Sequence, residues 1–344
     1  TALSLAACFV GATGSFDPRL DELNVVWNSP SQDHHGSMPL GNGEIGLNAW
    51  VDSDGDLHFY IGRIDSLSAG GHLLKVGKIR VSLSPKPYAQ GAPFRQELDL
   101  AKGQIVVRMG AENPTTLRLW VDAHHPVIQL DINSARPLQA TARMELWRTV
   151  PTAMPADMRV SDPYSPREAL VQPDVILANQ TGRIGWYHHN AESFGARETM
   201  EFQGLLDYPG FVDPMLHRTF GAIVTAPGGT RVDDTTLRTP LGRSLKLRVY
   251  SHASQPSTPE SWLREMDALI GRTEALPEET RYTAHCDWWR GFWGRSFVYI
   301  RESASGRGRP SPVPANDHAL RIGFDQAGDN VFRGELGRVA LYPG

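Results

Sequence analysis

Two cysteines in 344 residues are the first constraint. Cys8 lies in the N-terminal apolar run "TALSLAACFVGATG". With that segment set aside, Cys286 stands alone and no intramolecular disulfide can form. Positive charge is scarce as well. The 34 Lys and Arg against 38 Asp and Glu leave a formal net charge of −4, without the basic footprint of a nucleic-acid binder. No apolar stretch is long enough to span a bilayer. GxSxG, HExxH and CxxC patterns are missing, and "GNGEIG" lacks the Lys-Ser/Thr of a phosphate loop. These absences remove the common nucleophilic, zinc and nucleotide chemistries.

What is present begins with an export-like N-terminus. Residues 1–15 combine a short apolar run with small residues, but have no initiating Met and no basic n-region, so the front of a secretory signal is expected to be missing. Leu5-Ala6-Ala7-Cys8 resembles a lipobox with Cys8 as the acylated residue, while Ala12-Thr13-Gly14 resembles an ordinary cleavage site. A secreted, periplasmic or cell-surface location follows as the expectation.

From residue 24 to 250 the dominant period is two. Leu117, Leu119 and Val121 alternate with Arg118, Trp120 and Asp122, and Ile128, Leu130 and Ile132 alternate with Gln129, Asp131 and Asn133. "ATARMELW", "FRQELDL" with "QIVVRM" across Lys102-Gly103, "KIRVSLS" and "SLKLRVY" follow the same rule. One apolar face per strand, repeated this often, predicts two stacked antiparallel sheets: a large β-sandwich over 16–255. The alternation weakens between 150 and 220, where "PTAMPADMRVSDPYSPREALVQPDV", rich in Pro and polar residues, reads as a long surface excursion. Linker helices are expected over 256–300. Thr258-Pro259-Glu260 is a helix start, followed by a stripe of Trp262, Met266, Leu269 and Ile270. Tyr282, Cys286, Trp289 and Trp293, widened by Trp288 and Phe292, predict a second, aromatic stripe. Within it Cys286 reads as a small buried hydrophobe. Residues 301–317 have the composition of a flexible linker, and 318–344 return to β-signals.

The candidate chemistry is modest. Asp52-Ser53-Asp54-Gly55-Asp56 resembles the start of a calcium loop, but Arg63 stands where the closing Glu belongs, so Asp54-Gly55 reads as a hairpin turn. The histidines come in adjacent pairs, His34-His35, His124-His125 and His188-His189. Neighbours on a strand point to opposite faces, so no metal or cofactor is expected. His34, His35, His188 and His189 border Gly/Asn-rich loops and are candidates for sugar contact, with Trp186 or Tyr187 as stacking faces. Asn42 and Glu44, inside the distinctive "GNGE" corner, complete the set. For Glu44 a structural role at a turn weighs at least equally. No spacing marks a pair of carboxylates, so no catalytic residue is assigned.

The stretch "VVWNSPSQDHHGSMPLGNGEIGLNAWVDSDGDLHFYIG" resembles the opening β-sandwich of a family of secreted bacterial proteins of unassigned activity. That family is related to glycoside hydrolase family 95, the α-L-fucosidase and α-L-galactosidase group. "LLKVGKIRVSLSP", "LRLWVDAHHPVIQLDI", "DPMLHRTFGAIV" and "HCDWWRGFWGRSFV" continue the resemblance over most of 24–300. It implies a carbohydrate partner and a helical catalytic barrel that carries the catalytic acids and is not encoded here. The Trp-rich helix would lead into that barrel. The tail "LRIGFDQAGDNVFRGELGRVALYP" resembles the closing strands of a laminin-G or concanavalin-like jelly roll, cut short. The expectation is a catalytically silent sandwich domain of a secreted family-95-like glycoside hydrolase. Its rivals are a carbohydrate-binding or adhesion module and a purely structural cell-surface domain.

Overall fold

The computed structural model describes residues 18–112, 114–153, 170–205, 207, 209–295, 299–300 and 339–340. Pro18–Trp289 form one compact unit, mainly of strands. These are β1 (Val25–Trp27), β2 (Met38–Gly41), β3 (Ile45–Val51), β4 (Leu57–Leu67), β5 (Leu73–Ser84), β6 (Phe94–Asp99) and β7 (Gln104–Met109). After them come β8 (Thr115–Val121), β9 (Val127–Glu145), β10 (Thr152–Ala153), β11 (Leu170–Val171), β12 (Val175–Ile176) and β13 (Arg183–His189). A short helix α1 (Ala196–Phe202) precedes β14 (Thr219–Thr225), β15 (Thr230–Asp233), β16 (Thr236–Arg238) and β17 (Gly242–Ser254).

Fifteen strands join one antiparallel sheet with two arms, which share β9. In the first arm the order is β1-β6-β7-β8-β9-β17-β14-β13-β12; in the second, β2-β3-β4-β5 lead to β9, with β16 and β15 beyond it. The sequence suggests two strands where β9 runs 19 residues without a turn. Its first half pairs with β8 and β17, its second with β5 and β16. Pro137, which has no N–H to give, falls where the register against β17 shifts between Gly242 and Ser244, so its missing donor costs the ladder nothing there.

Both arms feed one core, with Leu47, Phe59 and Ile61 from the second arm meeting Leu117, Leu130 and Leu247 from the first. Trp186 of β13 ties the arms together: its indole N–H donates to the Val76 carbonyl of β5 at 2.8 Å. Gly77 makes this approach feasible, because a Cβ there would stand 2.7 Å from the indole ring. Trp186 is fully buried. This corrects its reading as a solvent-facing stacking platform; within 150–220, where the alternation weakens, β13 is nonetheless paired on both edges. Residues 154–169 of the expected surface excursion lie outside the described residues.

The helices cover the outer side of the first arm. Helix α2 (Pro259–Glu274) begins as the sequence indicates: Thr258 Oγ1 accepts from Ser261 N, and Ser261 Oγ accepts from Thr258 N. Its Trp262, Met266 and Leu269 pack on Val127, Ile223 and Tyr250. For this reason Val127–Ile132 are buried on both faces, where alternation alone predicts a wet side. Helix α3 (Glu278–Trp293) departs from the expected stripe, because its buried residues are Arg281 and His285. The strand surface beneath it carries the buried polar groups Gln104, Asp122 and Gln129 beside Trp120, whose ring lies 4.9 Å from that of His285, so polar helix residues find partners there. Arg281 pairs with the fully buried Asp122 at 3.1 Å. The Tyr282 hydroxyl donates to Gln104 at 2.7 Å, and His285 Nε2 donates to the Lys102 carbonyl at 2.8 Å. Trp289 sits on Gly103, where a Cβ would fall 2.0 Å from the indole nitrogen. Cys286 is half-buried, and burial pushes its thiol above the usual range.

The second unit includes Arg290–Gly344. Its described residues are the last turn of α3 and an antiparallel pair, β18 (Tyr299–Ile300) with β19 (Val339–Ala340). The export segment at 1–15, the linker at 301–317 and the rest of the tail lie outside the described residues. Among the described residues, no helix is long and apolar enough to cross a membrane.

Two outcomes test this packing. Trp186→Ala removes a fully buried side chain and should lower unfolding free energy by about 3–5 kcal/mol in urea titrations. His285 is shielded from water, which depresses its proton affinity below the ordinary 6.5 although the Lys102 carbonyl opposes this. Below that value the unfolded chain protonates before the folded one, so this histidine contributes a loss of stability as pH falls. The urea midpoint of His285→Gln should therefore vary less than the parent's between about pH 7 and about pH 5.5.

Candidate functional site

The "GNGE" corner joins β2 to β3. Asn42 uses both ends of its amide: Oδ1 accepts from Glu44 N at 3.0 Å and Ile45 N at 2.8 Å, while Nδ2 donates to the Asp122 carbonyl at 2.8 Å and the His125 carbonyl at 3.4 Å. Gly43, at φ 91°, supplies the left-handed step that closes the corner. Asn42 is thus a clamp between this hairpin and the turn before β9. Glu44 accepts from Arg63 Nη2 at 2.6 Å. Arg63 is buried, and it also binds Asp65 through Nε at 2.8 Å and the Ser251 carbonyl through Nη1 at 2.8 Å.

Beside this ion cluster the outward face of the second arm is bare. Gly41 pairs with Gly46, and Gly46 with Gly62, so three strands place hydrogen atoms in line where side chains would stand. The result is an open groove of about 430 Å³ over that strip, whose rim includes Glu44, Asn48, Tyr60, Ile64, Leu73 and Lys75. Lys75 Nζ lies 4.4 Å from the Tyr60 ring centroid. Tyr60 continues into an aromatic wall, with Trp50 at 5.4 Å and Trp147 at 5.9 Å between centroids. Trp50 stacks on His58 at 5.1 Å. Ile64, Leu73 and Trp147 are exposed on this side.

The predicted residues divide between two places. Glu44 lines the groove, and His34 abuts its wall, 6.0 Å from Tyr60 and 6.4 Å from Trp50. His34 and His35 do not diverge as neighbours on a strand would. They occupy a 3-10 turn (His34–Gly36) in which their rings are 4.3 Å apart, which removes the ground for reading them as poor joint ligands. The other three lie on β13. His188 is buried, facing Asp174 at 3.2 Å and stacked on Phe220, and Asp174 is held in turn by Arg148. His189 is half-buried against Thr219; burial, then the charges of His217 and His188, lower its proton affinity. None of these three lines the groove.

Sequence reading missed Tyr60, Gly62, Arg63 and Lys75, although a signal existed. A hairpin symmetric about Asp54 sets Gly46 opposite Gly62, Asn48 opposite Tyr60 and Ile45 opposite Arg63. The turn itself is wider than the expected tight pair. Asp52 closes it by accepting from Asp54 N and Asp56 N, with Gly55 at φ 81°.

Fold and site together define a mainly antiparallel-β domain with helices over one arm and a glycine-floored groove on the other. The chain belongs to the DUF5703 family, described as a domain of unknown function, whose N-terminal domain matches residues 26–298. No curated protein sequence matches it. A solved structure titled "Putative kojibiose phosphorylase from human microbiome" is similar at TM-score 0.43 and 10% identity, over 80% of this chain and 39% of that one. The chain therefore spans well under half the length of that protein.

The clamp and the ion cluster should respond differently to substitution. Asn42→Ala leaves several inner polar groups unmade and should cost about 1–3 kcal/mol in urea unfolding. Glu44→Gln should cost under about 1 kcal/mol, because Glu44 is half exposed and Arg63 keeps Asp65.

Proposed function

We propose that this chain is the β-sandwich domain of an exported carbohydrate-active enzyme of the family-95-like kind. In this reading it seats a helical catalytic domain, and its β2-β3-β4 face binds sugar without hydrolysing it. The glycine-floored groove carries the reading. A floor without Cβ atoms lets a flat ring approach the backbone. Tyr60 offers a face for its C–H groups, and Glu44, Asn48 and Lys75 offer polar partners at the rim. Hydrolysis needs two carboxyl groups facing each other across the sugar. The two acids nearest the groove, Glu44 and Asp65, are both bound to Arg63, which suits a positioning role better than proton transfer. The single core fed by both arms supports two layers packed face to face. Export rests on the N-terminal resemblance, and the barrel on the resemblance of "HCDWWRGFWGRSFV".

The test is titration of the purified chain with fucosylated and galactosylated oligosaccharides, by calorimetry and by reducing-sugar assay. The expected outcome is saturable binding without turnover, weakened about tenfold or more by Tyr60→Ala. Turnover that Glu44→Gln abolishes, or an affinity indifferent to Tyr60, would overturn the proposal.

A further inference from the structure

We propose that Asp33, His34 and His35 form a binding site for a divalent transition-metal ion of the Zn²⁺, Ni²⁺ or Cu²⁺ class. One nitrogen of each imidazole and one carboxylate oxygen of Asp33 lie within 4.8 Å of one another. The three residues are consecutive, and the local backbone explains how they converge. In a 3-10 turn successive side chains are about 120° apart, not opposed as on a strand. Asp33 is extended, at φ −154° and ψ −166°, and its carboxylate folds over the turn to accept from His35 N at 2.9 Å.

The turn is fixed from several sides. Ser31 N donates to the Val51 carbonyl at 2.8 Å, and Ser31 Oγ to the Asp33 carbonyl at 2.8 Å. The Trp27 indole donates to the Gly36 carbonyl at 3.0 Å, and Ser37 N to the His34 carbonyl at 3.1 Å. A side chain at Gly36 would strike Ser31 Oγ, 2.2 Å from the added Cβ. Trp50 and Tyr60 hold the His34 ring edge-on. Much of the ordering that a ligand set requires is therefore built in before any ion arrives.

The donor chemistry fits the same class. His35 Nδ1 lies 3.0 Å from Asp33 Oδ1. With the ring proton on Nε2, the Nδ1 lone pair and the carboxylate face one point, at close to the separation of two ligands on a single ion. Two imidazoles with one carboxylate favour borderline metals over Mg²⁺ or Ca²⁺. Ligand atoms about 2.1 Å from a tetrahedral ion are about 3.4 Å apart, so small rotations of these exposed side chains close the set, with solvent filling the remaining positions. Packing does not account for His35. The His35 side chain is 80% exposed, and Asp33 caps the turn without needing either ring.

The experiment uses tag-free, chelator-stripped full chain titrated with ZnCl₂, NiCl₂ and CuCl₂ by calorimetry, with Cu²⁺ quenching of tryptophan fluorescence as a second readout. The site predicts one equivalent bound, weakened tenfold or more in His34→Ala and in His35→Ala. Asp33→Asn keeps an oxygen for the cap but removes the charge, and should also weaken binding at an unchanged melting temperature. An affinity equal in parent and His34→Ala/His35→Ala, or no binding by the parent, overturns the site. Asp33→Asn binding as tightly as the parent overturns the three-residue assignment. The outcome does not depend on whether the groove binds sugar.

Discussion

The backbone of β9 is the constraint on which the molecule depends. A strand buried in a protein must satisfy its N–H and C=O groups along both edges. Over its 19 residues β9 does so with four different partners, β8 and β17 first, then β5 and β16. It thereby belongs to both arms, and the arms cannot part without breaking a continuous chain. The core follows from this, since the inward residues of each arm are brought to the same interior. Trp186 adds a fastening away from β9, its indole bonded to the Val76 backbone over the bare Cα of Gly77.

The two outward faces have different fates. Over the first arm, α2 supplies an apolar seat and α3 a polar one, with the Arg281–Asp122 pair enclosed beneath it. Such a pair gains little net energy over a hydrophobic contact, but it is severe on any arrangement that leaves one charge alone. It therefore specifies where α3 lies more than how tightly. Over β2-β3-β4 no described α-helix packs, and aromatic, aliphatic and charged side chains surround a strip of glycines. The structure seals one side and leaves the other available.

Much of this was legible in the residues. Period-two burial identifies β3, β5, β8 and β17 because one face of each meets the core, and the cap at Thr258 with the Trp262–Met266–Leu269 stripe identifies α2. Legibility failed where a third layer intervened. Gln129 and Asp131 look solvent-facing by alternation, yet helices bury them. Arg281 and His285 look like the wet side of α3, yet polar groups on the strands beneath draw them in. Trp186 looks like a surface aromatic because its burial depends on Gly77, more than a hundred residues away in sequence. The site divides similarly. The "GNGE" corner stands out locally, but its partners Asp122, His125 and Arg63 are tertiary, and they turn Asn42 into a clamp. The convergence of His34 and His35 was hidden because a 3-10 turn of three residues leaves no period to detect.

The contact between Trp289 and Gly103 has a consequence for how such a domain can change over time. The indole fills the volume that any other residue at 103 would claim, so the missing methyl acts as a detent: α3 has one resting position along the strand ends, and a slip by a turn loses it. Drift at either site alone is penalised, and only paired exchange, a smaller ring against a larger neighbour, preserves the seating.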